Sequence, residues 1–446
     1  MEYNSAAFLF AFLPLTLLGY HLIPWRRGKN ALLILASLLF YAFGDLRHLP
    51  LLVSSAVFHY LMGLLLLKLE RGRKAGLAAA VAADVAVLLA YKLAGILPLG
   101  VSFFTFQAIS YVVDLYRDRE NGSRNFLEVL QYLTFFPQLV SGPLMKFFQV
   151  RPFLRERRVT AGETADGLRR FTMGLAKKLL LSAAAAEVVN AVFALPLADL
   201  DIRTAWLGAV CYALQLFFDF SGYSDMAIGL GHLFGYTLPE NFRYPYCASS
   251  VTDFWRRWHI SLSLWFRDYL YIPLGGNRKG KHRTICNKLI VFLATGLWHG
   301  TAVTFVLWGL WHGLWSALET ATGLSKKLEK RWYGHVYAVL AAVLGFVIFR
   351  ASSVAQAGAV LANLFTGFSL TAAGTAVLTH SLGSRTLFLI LLGCVLCLPV
   401  GPKLRALLGQ RKAYRPVTLV LTLALLVLCM VTLASGSFQP FIYAQF

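Results

Sequence analysis

Residues 294–313 read ATGLWHGTAVTFVLWGLWHG, an apolar run of membrane-crossing length that carries two histidines, His299 and His312. Hydrocarbon is crossed by roughly 20 residues of helix. An unpaired polar group at that depth is costly, so ionisable residues within spans face a bundle interior or a watery cavity. A neutral imidazole costs less to bury than a charge, and its unperturbed pKa of about 6.5 suits proton transfer near neutrality. His299 is therefore a candidate general base. The thirteen residues to His312 are about 220° around a continuous helix, which points the two rings at different faces and leaves one of them as the base. Either ring alone is equally compatible with packing, bonded to a carbonyl.

The surrounding chain has the same character. Hydrophobic residues make up 58% of its 446 positions, and its mean hydropathy is +0.62, whereas soluble domains are under half apolar. Apolar stretches recur at residues 5–24, 50–68, 75–97, 203–220 and 416–434. These predict an all-α integral membrane protein with about ten to twelve transmembrane helices. The opening MEYNS has no basic region and no small-residue cleavage site, which reads as a retained span. The apolar runs never pause long enough for a soluble domain, so residues 1–446 read as one polytopic membrane domain.

Lysine and arginine number 42 against 21 acids, a net charge of +21. They cluster in short loops: RRGK (26–29), RGRK (71–74), RERR (155–158), NRKGKHR (277–283) and KLEKR (327–331). Such loops are a topology signal and should face the cytoplasm, so no nucleic-acid partner is expected and the lipid bilayer is the partner implied. GDLRHLP (44–50), PLADLDI (196–202) and LTAAGTAVLTH (370–380) should lie outside. Lys403, Arg405, Arg411, Lys412 and Arg415 come without an acid, so the last helix should run outward and leave the terminal FIYAQF extracytoplasmic. Of six cysteines, the one close pair, Cys394 and Cys397, lies in an apolar run and reads as core. No metal site is expected.

The densest polar segment is residues 240–283, ENFRYPYCASSVTDFWRRWHISLSLWFRDYLYIPLGGNRKGKHR. Ser250 and Asp253 have the spacing of a capping box that opens a helix; Pro273, Gly275 and Gly276 close it. Trp255, Trp258, Leu262, Trp265, Phe266 and Tyr269 fall within one stripe of about 100°, with Arg256 and Arg267 on its flank and His259 at its edge. Two readings fit: an interfacial helix with snorkelling arginines and belt aromatics, or a re-entrant segment lining a site. In FDFSGYSDMAIG (218–229), Asp219 and Asp225 are about 240° apart on a helix, so they do not make the facing carboxylate pair of a glycosidase. They read as partners for arginines such as Arg256 or Arg257.

Three stretches in this order, DFSGYSDMAIGLGHLFGY (219–236), NFRYPYCASSVTDFWRRWHISLSLWFRDYLYIPLGGNRKG (241–280) and GLWHGTAVTFVLWGLWHG (296–313), resemble the membrane-bound O-acyltransferases. The likeness is to the bacterial branch that includes alginate O-acetyltransferases, with the teichoic acid D-alanyl transfer protein as a cousin. The resemblance implies a multi-helix membrane fold with its re-entrant and catalytic block at about residues 240–315. It places the catalytic histidine at His299 and a second functional position at His259, and gives His312 a less defined role. It also implies an acyl donor at one mouth of a tunnel and a hydroxyl acceptor at the other, with no covalent cofactor.

The implied reaction is O-acetylation of an extracytoplasmic polysaccharide at the bacterial inner membrane, with acetyl-CoA (acetyl-coenzyme A) as donor. His299 would take the hydroxyl proton, and His259 or backbone amides around Gly296 and Gly300 would steady the oxyanion. Arg278, Lys279 and Lys281 suit the phosphates of coenzyme A, though membrane topology explains them equally well. Tyr443 in FIYAQF matches a terminal tyrosine motif whose phenol takes the acyl group before a secreted or membrane-anchored serine-type acetyltransferase, acting with polysaccharide pathway proteins, collects it. On pattern alone the same tail is an interfacial anchor. Two alternatives remain: D-alanyl transfer to teichoic acid, and a proton-coupled transporter with no acyl chemistry, against which the absence of an inverted repeat in the hydropathy argues.

Overall fold

The computed structural model describes residues 1–435, and these are helical with no strand. Among the described residues, four segments are long and apolar enough to cross a bilayer: Arg26–Lys68, Arg73–Leu93, Trp332–Arg350 and Tyr414–Ala434. A fifth joins them if Ala372–Ser381 and Ser384–Leu396, bent by 82°, count as one. The run at 5–24 forms a shorter apolar helix, Phe8–Leu22. The run at 203–220 lies within Ile202–Leu233, 32 residues long.

The chain folds into two compact units. The first comprises Met1–Leu175 and Tyr223–Glu240. Phe8, Phe40 and Phe136 meet edge to face or tilted in its core, at 5.6 to 6.4 Å between centroids, an arrangement that sets ring edges against ring faces. The Tyr3 hydroxyl donates to the Phe136 carbonyl at 2.6 Å. Pairing offsets the cost of burying charge at one place in this unit. Arg170 bridges Asp225 at 2.7 Å and Glu240 at 2.6 Å.

Helices Leu49–Lys68 and Arg73–Leu93 of this unit are joined by a buried pair, His59 Nε2 to Asp84 Oδ2 at 2.9 Å. His59 Nδ1 lies 2.7 Å from the Ser55 carbonyl oxygen, so both ring nitrogens have a partner. His59→Leu strands the Asp84 carboxyl. We expect a loss of about 3–5 kcal/mol, read as a lower thermal midpoint of the solubilised protein, with most of it regained when Asp84→Leu is added. A double variant no more stable than the single one would show that the pair does not act as a unit.

Among the described residues, the second unit comprises Ala176–Gly222 and residues 241–435. Its centre is an antiparallel hairpin of helices Gly280–His299 and Val303–Thr322, each 20 residues long. They touch backbone to backbone: a Cβ on Gly296 would strike the Phe305 carbonyl, and one on Gly309 the Phe292 carbonyl. Small residues at such a crossing are how helices approach closely in a membrane. Helix Trp332–Arg350 runs antiparallel to the second arm, with the Trp311 indole donating to the Ala341 carbonyl at 2.8 Å. Lys178 and Asp219 form a buried ion pair at 2.6 Å.

Both aspartates of the 218–229 stretch are thus structural partners of cations, but of Lys178 and Arg170 and not of Arg256 or Arg257. Their angular separation sends them to different faces, so each meets the cation on its own side. Arg257 is bound by Asp253 one turn earlier, at 3.0 Å.

Candidate active site

The polar block after Asn241 is built around a helix start. Ser250 Oγ accepts from the Asp253 amide at 3.0 Å, as its spacing predicts, while Asp253 Oδ2 accepts from the Ser249 amide at 3.2 Å, one residue earlier than a capping box requires. A group the sequence reading passed over does more. The buried Glu319 carboxylate accepts from the amides of Val251 at 2.6 Å and Thr252 at 2.9 Å, and from the Tyr337 hydroxyl at 3.1 Å. An acid held by first-turn amides is stabilised by charge-assisted bonds and by the helix dipole. The signal was legible: Glu319 follows His312 by seven residues, about 700° or nearly the same helix face, in a run with no other acid.

That helix ends early. The spacing predicts one helix from Ser250 to Pro273, whereas the structure has Val251–Arg257, a break, Ile260–Phe266 and a wide turn at Arg267–Tyr271. The break is His259, whose φ of 44° and ψ of 55° are left-handed. Asn241 causes it: its carbonyl accepts from the Ile260 amide at 3.0 Å, and its Oδ1 accepts from the Ser261 amide at 3.1 Å and hydroxyl at 3.0 Å. A borrowed side chain therefore starts the second helix. A left-handed residue other than glycine costs about 1–2 kcal/mol, and such positions cluster at functional sites. Trp258, Leu262 and Phe266 of the expected stripe are buried; Arg256 and Arg267 are exposed.

The break turns the His259 ring inward, to 1% exposure. Its centroid is 4.5 Å from that of Phe220 and 6.3 Å from that of Trp298. His299, the last residue of the first hairpin arm, is 3% exposed. Around it stand Trp298 at 4.8 Å, Phe349 at 5.0 Å, and Trp308 at 5.1 Å, the last two nearly perpendicular to the imidazole. Both histidines thus contact Trp298, one from the broken helix and one from the hairpin apex.

His312 lies on the other arm, 5.2 Å from Trp308 and 5.1 Å from Trp255. The 220° separation assumes one continuous helix. The chain instead turns back at Gly300–Ala302, so His299 and His312 flank the same ring, Trp308.

Arg278, Lys279 and Lys281 are exposed and sit where helix Gly280–His299 begins, about 30 Å from its histidine end at 1.5 Å per residue. Tyr443 lies outside the described residues. Among the described residues no cluster of His, Cys, Asp and Glu has the makings of a metal site, and all six cysteines are unbridged. The site offers a titratable ring at a helix end, enclosed by aromatic faces, with a second imidazole nearby: the equipment of proton transfer next to a carbonyl reaction.

The model of the membrane-bound O-acyltransferase family matches residues 100–354. Among similar proteins, the probable alginate O-acetylase AlgI of Pseudomonas fluorescens is 40% identical over 82% of this chain and 76% of its own length. The probable alginate O-acetylase AlgI of Pseudomonas putida is 35% identical over the whole of both chains. The peptidoglycan O-acetyltransferase of Helicobacter pylori is 37% identical, covering 70% of this chain and 69% of its own.

Proposed function

The chain belongs to the membrane-bound O-acyltransferase family, and from that premise we propose that it carries an acetyl group from acetyl-CoA on the cytoplasmic side to a hydroxyl of an extracytoplasmic cell-envelope polysaccharide. His299 in its aromatic enclosure, with His259 turned toward the same tryptophan by a left-handed break, is the observation that supports this most directly. His299 takes the proton of the attacking hydroxyl. The freed oxygen bonds to the thioester carbonyl carbon, and the His259 N–H steadies the oxyanion that forms. Collapse breaks the carbon–sulfur bond, and the departing thiolate takes the proton from His299, leaving ester and free thiol.

Arg278, Lys279 and Lys281 hold the phosphates of coenzyme A in this reading, so the donor extends along the hairpin from their end to His299. The basic loops at 71–74, 278–283 and 403–415 face the cytoplasm of a bacterium, in its inner membrane. Helices too short or too charged to count as spans by composition bring the total to ten to twelve. The test is purified chain in proteoliposomes given labelled acetyl-CoA and saccharide acceptor. Label in the saccharide is expected. Transfer of D-alanyl from a carrier protein with none of acetyl, or ion flux without acyl transfer, would replace this reading by one of its two alternatives.

An outward-running last helix places Tyr443 outside, where we assign it as a transient acetyl acceptor that passes the group to a serine-type acetyltransferase working with the polysaccharide pathway. A phenyl ester is activated because phenol leaves far more readily than a sugar hydroxyl, so it can drive onward transfer where no thioester exists. Tyr443→Phe keeps the ring and removes the nucleophile. Polymer acetylation in cells should fall at least about tenfold; full acetylation by this variant would leave the tail as an interfacial anchor.

A further inference from the structure

Behind His299, on the side of the basic residues, lies a group of buried nitrogens that the reaction above does not use. His312 is 0% exposed and Trp308 2%. Among the described residues, neither ring nitrogen of His312 and neither indole nitrogen of Trp308 or Trp255 has a hydrogen-bond partner. Their rings are mutually close: Trp255 to His312 5.1 Å, Trp308 to His312 5.2 Å, Trp255 to Trp308 5.6 Å. Buried polar groups are almost always bonded, and each one left without a partner is destabilising. Several together in one aromatic enclosure point to a polar guest.

The position of this group is set by its neighbours. Gly313 lies against Leu289 and Phe292, so His312 stands beside the middle of helix Gly280–His299, between the exposed Arg278–Lys281 end and His299. Helix Trp332–Arg350 measures the interval: Gly345 lies under His312 and Phe349 beside His299, and four residues are about 6 Å of helix.

The chemistry of the group narrows the guest. An indole nitrogen only donates, whereas a neutral imidazole offers one donor and one acceptor. An acceptor and a donor side by side, as in a secondary amide, satisfy both kinds of nitrogen at once. The donor thioester has such a group in the right order. In coenzyme A the sulfur is followed by two methylene groups and then by a secondary amide, so with the thioester at His299 the amide lies a few ångströms back toward the phosphate end. We propose that Trp308, His312 and Trp255 form an amide-binding station for the arm of the thioester donor, its carbonyl accepting from an indole N–H and its N–H donating to the imidazole. The proposal rests on the thioester donor assigned above. Gly345 is part of the station's floor, because a Cβ there would come within 2.6 Å of His312 Nε2.

The test uses the full chain in permeabilised native membranes, which retain its acceptor, and three labelled acetyl thioesters. These are acetyl-CoA, S-acetyl-N-acetylcysteamine, which keeps only the first amide, and S-butyl thioacetate, which has none. For the wild type, kcat/KM should favour the N-acetylcysteamine ester over the butyl ester by at least about tenfold, one hydrogen bond's worth. In Trp308→Phe and in His312→Phe, each of which keeps an aromatic ring without the nitrogen, that ratio should fall to near one. A wild type indifferent to the amide, or variants that slow all three donors equally with the ratio intact, would overturn the station and leave these rings as packing or as ligands of an ordered water. No transfer from any thioester by the wild type would instead overturn the donor assignment, and the station with it.

Discussion

His299→Ala should abolish acyl transfer while the chain still inserts and accumulates. General base catalysis contributes typically about 10²–10⁴-fold, and in the proposed reaction the base also returns the proton to the departing thiolate, so a rate at least about 10³-fold below wild type is expected. Insertion should survive because the ring lies at the end of its helix and not in its middle, and because the hairpin is fastened by glycine contacts elsewhere. The measurement pairs polymer acetylation with the amount of protein in the membrane fraction. Normal acetylation at normal abundance would remove His299 from the mechanism. Loss of protein together with activity is answered by His299→Gln, which keeps a polar side chain of similar length but no titratable proton; it too should be inactive.

The second large effect is expected at His259, where two contributions separate. In the proposed reaction the ring supplies a donor for the oxyanion, worth about 10²–10³-fold when one such donor is removed, and the backbone holds a left-handed turn that alanine adopts at a cost. His259→Ala loses both. Asparagine has an N–H to offer and tolerates the left-handed region better than most residues. His259→Asn should therefore retain much more activity than His259→Ala, with the difference in kcat and little change in KM. His259→Gly restores backbone ease alone. If it performs as well as asparagine, the residue serves the turn and has no part in the chemistry.

Much of this was legible in the residues. Hydropathy announced a helical membrane protein, the histidines in the apolar run marked a candidate site, and Ser250 announced a helix start that the structure contains. What failed to show were features made by residues distant in sequence. The left-handed break at His259 depends on Asn241, and although Glu319 stood out as the one acid of its run, its bond to a helix start nearly seventy positions away did not. Helical periodicity continued across residues 258–260 because Trp258, Leu262 and Phe266 are buried on both sides of the break. The angle between His299 and His312 misled for the opposite reason: the short turn at Gly300–Ala302 folds the chain back, and no periodicity survives a reversal. The partners of Asp219 and Asp225 were right in kind and wrong in identity, since sequence gives a helix face but not what lies opposite it.

The glycine contact between the hairpin arms bears on how a mutational scan of this protein would read. With backbone against backbone at Gly296 and Gly309, even one methyl group pries the arms apart, and the arms carry His299 on one side and Trp308 on the other. Alanine at either glycine should score as severely as alanine at the base, although neither glycine touches a reacting atom. A heat map of fitness would thus be intolerant at Gly296 and Gly309 as well as at His299, and the depth there would measure spacing as much as chemistry. Because the obstacle at Gly309 is the Phe292 carbonyl, which every residue carries, no smaller side chain on the facing arm restores the spacing; the amount of folded protein tells the two apart, since alanine at the glycine should lower it and alanine at His299 should not.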